Sequence, residues 1–139
     1  MSTYPKSPRE MTTGMMWFPR LTDKIRLFAR ADLAAEYHTH LGERFDARCL
    51  SFLRVDYAPL RERVLAGTSD EEALEWCYEN GRRLNDVDLL VWNSFVEKFG
   101  WNDVRAARLE QQKAELGVAE RADILTLADL LDYDEKRMS

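Results

Sequence analysis

Only two of the 139 residues are cysteines, Cys49 and Cys77. They form no Cys-x-x-Cys pair, which excludes zinc-ribbon and thioredoxin-type chemistry. Each falls among apolar neighbours in a helical pattern, as reduced core thiols do. Six glycines and four prolines are too few for collagen-like or proline-rich material. No apolar run approaches the roughly 20 residues that a spanning helix needs. The opening Met-Ser-Thr-Tyr-Pro-Lys-Ser-Pro-Arg-Glu has no basic stretch followed by an apolar one, so no secretory leader is expected. A Gly-x-Ser-x-Gly elbow, a Walker loop, a dinucleotide fingerprint and a Ser/His/Asp set are all missing. These absences predict a cytoplasmic protein without a membrane segment, cofactor or recognised catalytic constellation. The net charge of −5 and pI near 5.1 supply no global field toward nucleic acid or anionic lipid.

What is present is the material of a packed core: 45% hydrophobic and 11% aromatic residues. Helical periodicity dominates. Phe45, Cys49, Phe52 and Leu53 form one stripe, and Tyr57, Leu60 and Val64 the next. Val87, Leu90, Val91, Phe95 and Phe99 form the strongest, broadened by Trp92 and Val96, which predicts a central helix there. Segment 103–116 carries only a thin apolar line and predicts a surface helix with side-chain ion pairs. Gly67, Gly81, Gly100 and Gly117 follow helical patterns where a left-handed C′ residue is wanted. Ser69 with Glu72 fits a capping box, as do Thr68 with Glu71 and Ser7 with Glu10; Asn85 and Asn102 also read as helix starts. Asp46 reads as a cap opening a helix. The fold predicted is one all-α domain over 1–139, with six or seven short helices and no significant β-sheet. Residues 1–6 and 134–139 are expected to fray, and 32–44 to be the least ordered interior stretch.

Several phrases occur together in a shared order. Ser7-Pro8-Arg9-Glu10 is followed by Pro19-Arg20-x-x-Asp23-Lys24-x-Arg26, then Tyr37-His38-x-x-Leu41-Gly42 and Phe45-Asp46-x-Arg48. Phe52-Leu53-x-Val55-Asp56, Asp70-Glu71-Glu72-x-Leu74-x-Trp76, Val91-Trp92-Asn93-x-Phe95 and Arg121-Ala122-Asp123-Ile124 complete the set. With these phrases the chain resembles an uncharacterised bacterial family, domain of unknown function 5069, over nearly its whole length. The resemblance implies a stand-alone helical protein of the bacterial cytoplasm and supplies no activity. His40 departs from the family's usual apolar residue or asparagine in that region, so the resemblance adds nothing to a metal reading of the two histidines.

Four sets of side chains are candidates for function. Arg20, Lys24, Arg26 and Arg30 place four positive charges in eleven residues, offset by Asp23. Turned into a cleft, they would hold a carboxylate or phosphate; turned outward, they are a solvated helix face. His38 and His40 could reach one metal from an extended loop, but no further Cys or His completes a site. Trp17, Trp76, Trp92 and Trp101 could stack a planar ligand, although such residues usually build cores. The acidic tail of Asp129, Asp132, Asp134 and Glu135 could pair with the basic first helix, within one molecule or between two. The residues expected to bind a ligand are therefore Arg20, Asp23, Lys24, Arg26, Asp46, Arg48 and Trp92. Two roles are compatible with this set. One is a non-catalytic interaction module for a protein partner or a second copy; the other is a small enzyme or sensor taking an anionic ligand between helices.

Overall fold

In the computed structural model, which describes residues 3–139, the helices begin later than the sequence predicts. Met1 and Ser2, part of the expected fray, lie outside the described residues. Ser7 caps no helix. Its hydroxyl accepts from the Arg9 N–H at 3.2 Å and donates to Asp132 at 2.8 Å. The chain then forms an antiparallel ribbon of β1 (Met11–Thr12) and β2 (Met15–Met16). Thr13 and Gly14 turn it with φ of 47° and 84°, the two positive values that a type I′ hairpin turn needs. Strands of two residues are too short to show alternation.

Seven α-helices follow: α1 (Phe18–Ala29), α2 (Phe45–Leu53), α3 (Tyr57–Leu65), α4 (Asp70–Asn80), α5 (Asp86–Lys98), α6 (Ala106–Glu115) and α7 (Leu127–Asp134). A 3-10 helix spans Ala35–His40, inside the stretch expected to be least ordered. Pro19 sits in the first turn of α1, where no helical hydrogen bond is lost. Reciprocal capping boxes open α4 (Ser69 with Glu72), α5 (Asn85 with Asp88) and α7 (Thr126 with Asp129). Asn102 opens no helix: Asp103 accepts from the Gly100 and Arg105 N–H groups, and α6 waits until Ala106. Gly81 has φ of −121°, so its requirement is space and not handedness. A Cβ there would lie 2.0 Å from the Leu53 carbonyl oxygen.

The hairpin and α1 to α5 enclose the main core around Phe18, Leu21, Leu53, Leu60 and Leu74. Each such side chain contributes roughly 1.5–3 kcal/mol on burial. Cys49 and Cys77 lie within it as free thiols. A smaller cluster of Leu109, Val118, Ile124 and Leu130 seats α6 on α7.

α5 buries only part of its expected face. Val87, Leu90 and Val91 are more than half exposed, while Trp92, Val96 and Phe99 are buried. Both faces of this helix are apolar, so hydrophobicity alone does not select one. Hydrogen bonds to the hairpin do: Trp92 Nε1 donates to the Met16 carbonyl at 2.8 Å, Asn93 Oδ1 accepts from the Met16 N–H at 2.9 Å, and Asn93 Nδ2 donates to Gly14 at 2.8 Å. Rotating Val87 and Val91 inward would orphan these partners. Among the described residues, no helix is long and apolar enough to cross a membrane.

Candidate functional site

Glu135, expected to lie in a frayed end, is the centre of a buried ionic network. Its side chain has no solvent exposure and that of Arg20 has 3%. Arg20 donates from both Nη atoms to the two carboxylate oxygens, at 2.8 and 2.6 Å. The Tyr37 hydroxyl donates at 2.6 Å and Arg137 at 2.5 Å. Arg20 also donates to the Lys6 carbonyl, and Arg137 to the Pro5 carbonyl. The two ends of the chain are thereby tied together. Burial alone would raise the Glu135 carboxyl; the Arg20, Tyr37 and Arg137 donors outweigh it and hold the group below its ordinary value. Nearby, Arg9 spans three carboxylates, Glu97, Asp129 and Asp132, at 2.6 to 2.9 Å. The acidic tail thus pairs within one molecule, and its key contact is buried.

A second buried pair lies beside the first. Lys24 Nζ is 2.7 Å from Asp46, with side-chain exposures of 4% and 1%. Asp46 caps nothing, contrary to the expected start of α2: Arg44 is the N-cap residue and supplies no side-chain cap. Instead Asp46 accepts from Trp17 Nε1 at 2.8 Å and the Gly42 N–H at 3.2 Å. Burial lowers the pKa of Lys24 despite the attraction of Asp46. The Arg20 guanidinium and the Lys24 ammonium lie over the Trp17 ring, at 5.3 and 5.6 Å.

Above these pairs opens a cleft of about 630 Å³ between α1, the 3-10 helix, the start of α2, α6 and α7. That is the size of a small-molecule site. Trp17, Phe45, Phe99, Leu127 and Leu131 supply its apolar lining. Six cationic side chains line it against four acidic ones, the reverse of the chain's overall balance. Arg44 and Arg48 come from the α2 end, Arg105 and Arg108 from the α6 end. Among the described residues, Arg44, Arg48 and Arg105 pair with no carboxylate. Arg48 rests over the Phe99 ring at 4.9 Å, and Arg105 donates to Gln112 at 2.6 Å while its buried Nη1 has no partner. Burial lowers the pKa of Arg105, and the like charges of Arg108, Arg48 and Arg44 lower it further. His40, also on the lining, is lowered by burial and by Arg44 and Lys24.

Two residues of the lining hold unusual backbone conformations. Trp17 has φ 73°, ψ −33° and Arg44 has φ 56°, ψ −122°. For side-chain-bearing residues these cost on the order of 1–3 kcal/mol each and concentrate at functional sites.

Of the sequence-predicted residues, Arg20, Lys24 and Arg48 meet at the cleft, and Asp46 lies behind Lys24. Arg20 and Lys24 are not on a solvated face. Asp23 and Arg26 are elsewhere: Asp23 accepts from the Lys6 N–H at 3.0 Å, and Arg26 ties α1 to Asp70 at 2.6 Å. Trp92 is a core residue bonded to the hairpin. His38 Nε2 sits 2.9 Å from the Leu33 carbonyl oxygen and does not line the cleft with His40. Among the described residues, no group of three His, Cys, Asp or Glu side chains is placed to hold a metal ion. Sequence reasoning missed Tyr37, Arg44, Arg105 and Arg108 as site residues, whereas Glu135, named in the acidic tail, pairs with Arg20 of the first helix as one of the two expected arrangements has it. Arg44 adjoins the Phe45-Asp46-x-Arg48 phrase and was within reach; Arg105 joins only through tertiary packing.

Comparison with the curated proteins finds no match. The family model for the domain of unknown function DUF5069 matches residues 2–137, a span that contains the phrases from Ser7 to Ile124. The chain belongs to the DUF5069 family.

Proposed function

We propose that the protein is a non-catalytic binding module whose ligand is a small anion held in the cleft between α1, α2, α6 and α7. One observation carries this reading: three guanidiniums, from Arg44, Arg48 and Arg105, line a cleft and form no ion pair with a carboxylate among the described residues. Unpaired like charges drawn together are unfavourable until a counter-charge arrives. The buried pairs beneath, Arg20 with Glu135 and Lys24 with Asp46, fix the floor and the Trp17 ring, so the site is largely formed before binding.

Docking of a protein partner on the basic flank of α1 has less support, because Arg20 and Lys24 are spent inside the molecule. A small enzyme in the same cleft draws on one feature, the buried Lys24 amine that burial makes easier to deprotonate.

A thermal-shift panel of sulfate, phosphate, benzoate and citrate tests the reading. An anion at about 100 times its Kd adds about 2.7 kcal/mol of stability, or several degrees at this chain length. The shift should disappear in Arg48→Ala. A panel without any shift in the wild-type protein overturns the proposal.

A further inference from the structure

The anion-binding reading leaves open which anion, and the distribution of charge in the cleft narrows it. The cations stand on two separate walls. Arg44 and Arg48 belong to the α2 end, and Arg105 and Arg108 to the α6 end. Among the described residues, Arg108 alone of these four forms an ion pair, with Glu115 at 3.4 Å across an exposed surface, while Asp103 accepts from the backbone N–H of Arg105. We propose that the ligand is a phosphate monoester with an apolar body, its phosphate bridging Arg44 and Arg48 of α2 to Arg105 of α6.

This proposal rests on the anion-binding reading and specifies its ligand. A carboxylate brings one charge and two oxygens. A phosphate monoester brings about −1.5 to −2 charges and three acceptor oxygens. The larger charge and the third oxygen match three guanidiniums on two walls, among them Arg105 with its idle Nη1. The apolar body follows from Phe45, Phe99, Leu127 and Leu131, which line the same cleft. A nucleic-acid backbone is disfavoured by Glu36, Glu43 and Asp134 on the lining and by the net charge of −5.

Bridging has a mechanical effect. α6 buries only Leu109 and Lys113. Lys113 Nζ anchors it by donating to the Arg121 and Ile124 carbonyls, at 2.8 and 2.9 Å. A helix held by so few contacts sits at the low-stability end of the fold. A phosphate that neutralises the repulsion between Arg105 and the α2 arginines draws α6 against the cleft and slows its opening.

Calorimetric titration with phenyl phosphate, inorganic phosphate and benzoate, in chloride buffer, tests this. Hydrogen exchange over 106–115 is followed in parallel. Phenyl phosphate should bind at least tenfold more tightly than either of the others. It should slow exchange in α6, and Arg48→Ala and Arg105→Ala should each weaken it at least tenfold. Arg61→Ala, exposed on α3, should leave it unchanged. Binding of benzoate as tight as that of phenyl phosphate, lost in Arg48→Ala, overturns the phosphate assignment and leaves the anion cleft standing. Phenyl phosphate binding indifferent to Arg48 and Arg105 overturns the bridge. Binding of none of the three overturns both readings.

Discussion

Truncating Glu135 to alanine isolates the buried ion pair. The substitution leaves the Arg20 guanidinium, with 3% side-chain exposure, without its carboxylate. It also removes the acceptor of Tyr37 and of Arg137. Breaking one side of a buried pair costs roughly 3–5 kcal/mol, because the remaining charge stays desolvated. That is a large part of the roughly 5–15 kcal/mol expected for a whole domain. At this length each kcal/mol moves the midpoint by about 3 °C, so Glu135→Ala should lower Tm by roughly 9–15 °C. Urea unfolding with an unchanged m-value gives the free energy directly. The double variant Arg20→Met with Glu135→Leu removes both charges and should recover most of the loss. A loss below about 1 kcal/mol for Glu135→Ala, the range of an exposed pair, would refute the buried-pair argument.

The same carboxylate makes stability pH-dependent: its folded pKa lies below the ordinary 4.5, so its contribution is complete above that value and lost as pH falls through the folded pKa. Acid unfolding profiles of wild type and Glu135→Gln should therefore converge below pH 4.5. Arg105→Gln, by contrast, should leave the unliganded fold equally stable or stabilise it by up to about 1 kcal/mol, since it relieves like-charge crowding; a larger loss would show that Arg105 is structural. Gly81→Ala forces a methyl against the Leu53 carbonyl and should cost roughly 1–3 kcal/mol in urea unfolding. Burial raises the pKa of Cys49 and pushes Cys77 up to about 12, so a thiol reagent at pH 8 should label neither until the protein is unfolded.

The helices were legible wherever local signals agree. Ser69 with Glu72 announces α4 and Asn85 marks the start of α5; the structure forms a capping box at each. Local signals failed where tertiary partners compete for the same atoms. Ser7 and Asp46 are good caps by type, yet Ser7 is engaged by Asp132, and Asp46 by Lys24 and Trp17. The face of α5 was unreadable because Val87 and Val91 are as apolar as Trp92 and Val96; polar bonds to a hairpin invisible in the pattern decide it. The cleft was half legible. Arg20, Lys24 and Arg48 stand in recognisable phrases, whereas Arg105 arrives from α6 with no spacing that ties it to them. Glu135 looked like a solvated tail residue because charge near a chain end is usually exposed. Its burial follows from Arg20, 115 positions away.

That separation has a consequence for biosynthesis. Ribosomes extend chains at about 5–20 residues per second, so roughly 6–23 s pass between the appearance of Arg20 and that of Glu135. Throughout that interval the guanidinium lacks the carboxylate that accompanies it into the interior. α1 therefore completes this contact only once the chain has reached Glu135. A translation product ending before Glu135 holds every core residue of α1 but not the counter-charge of Arg20.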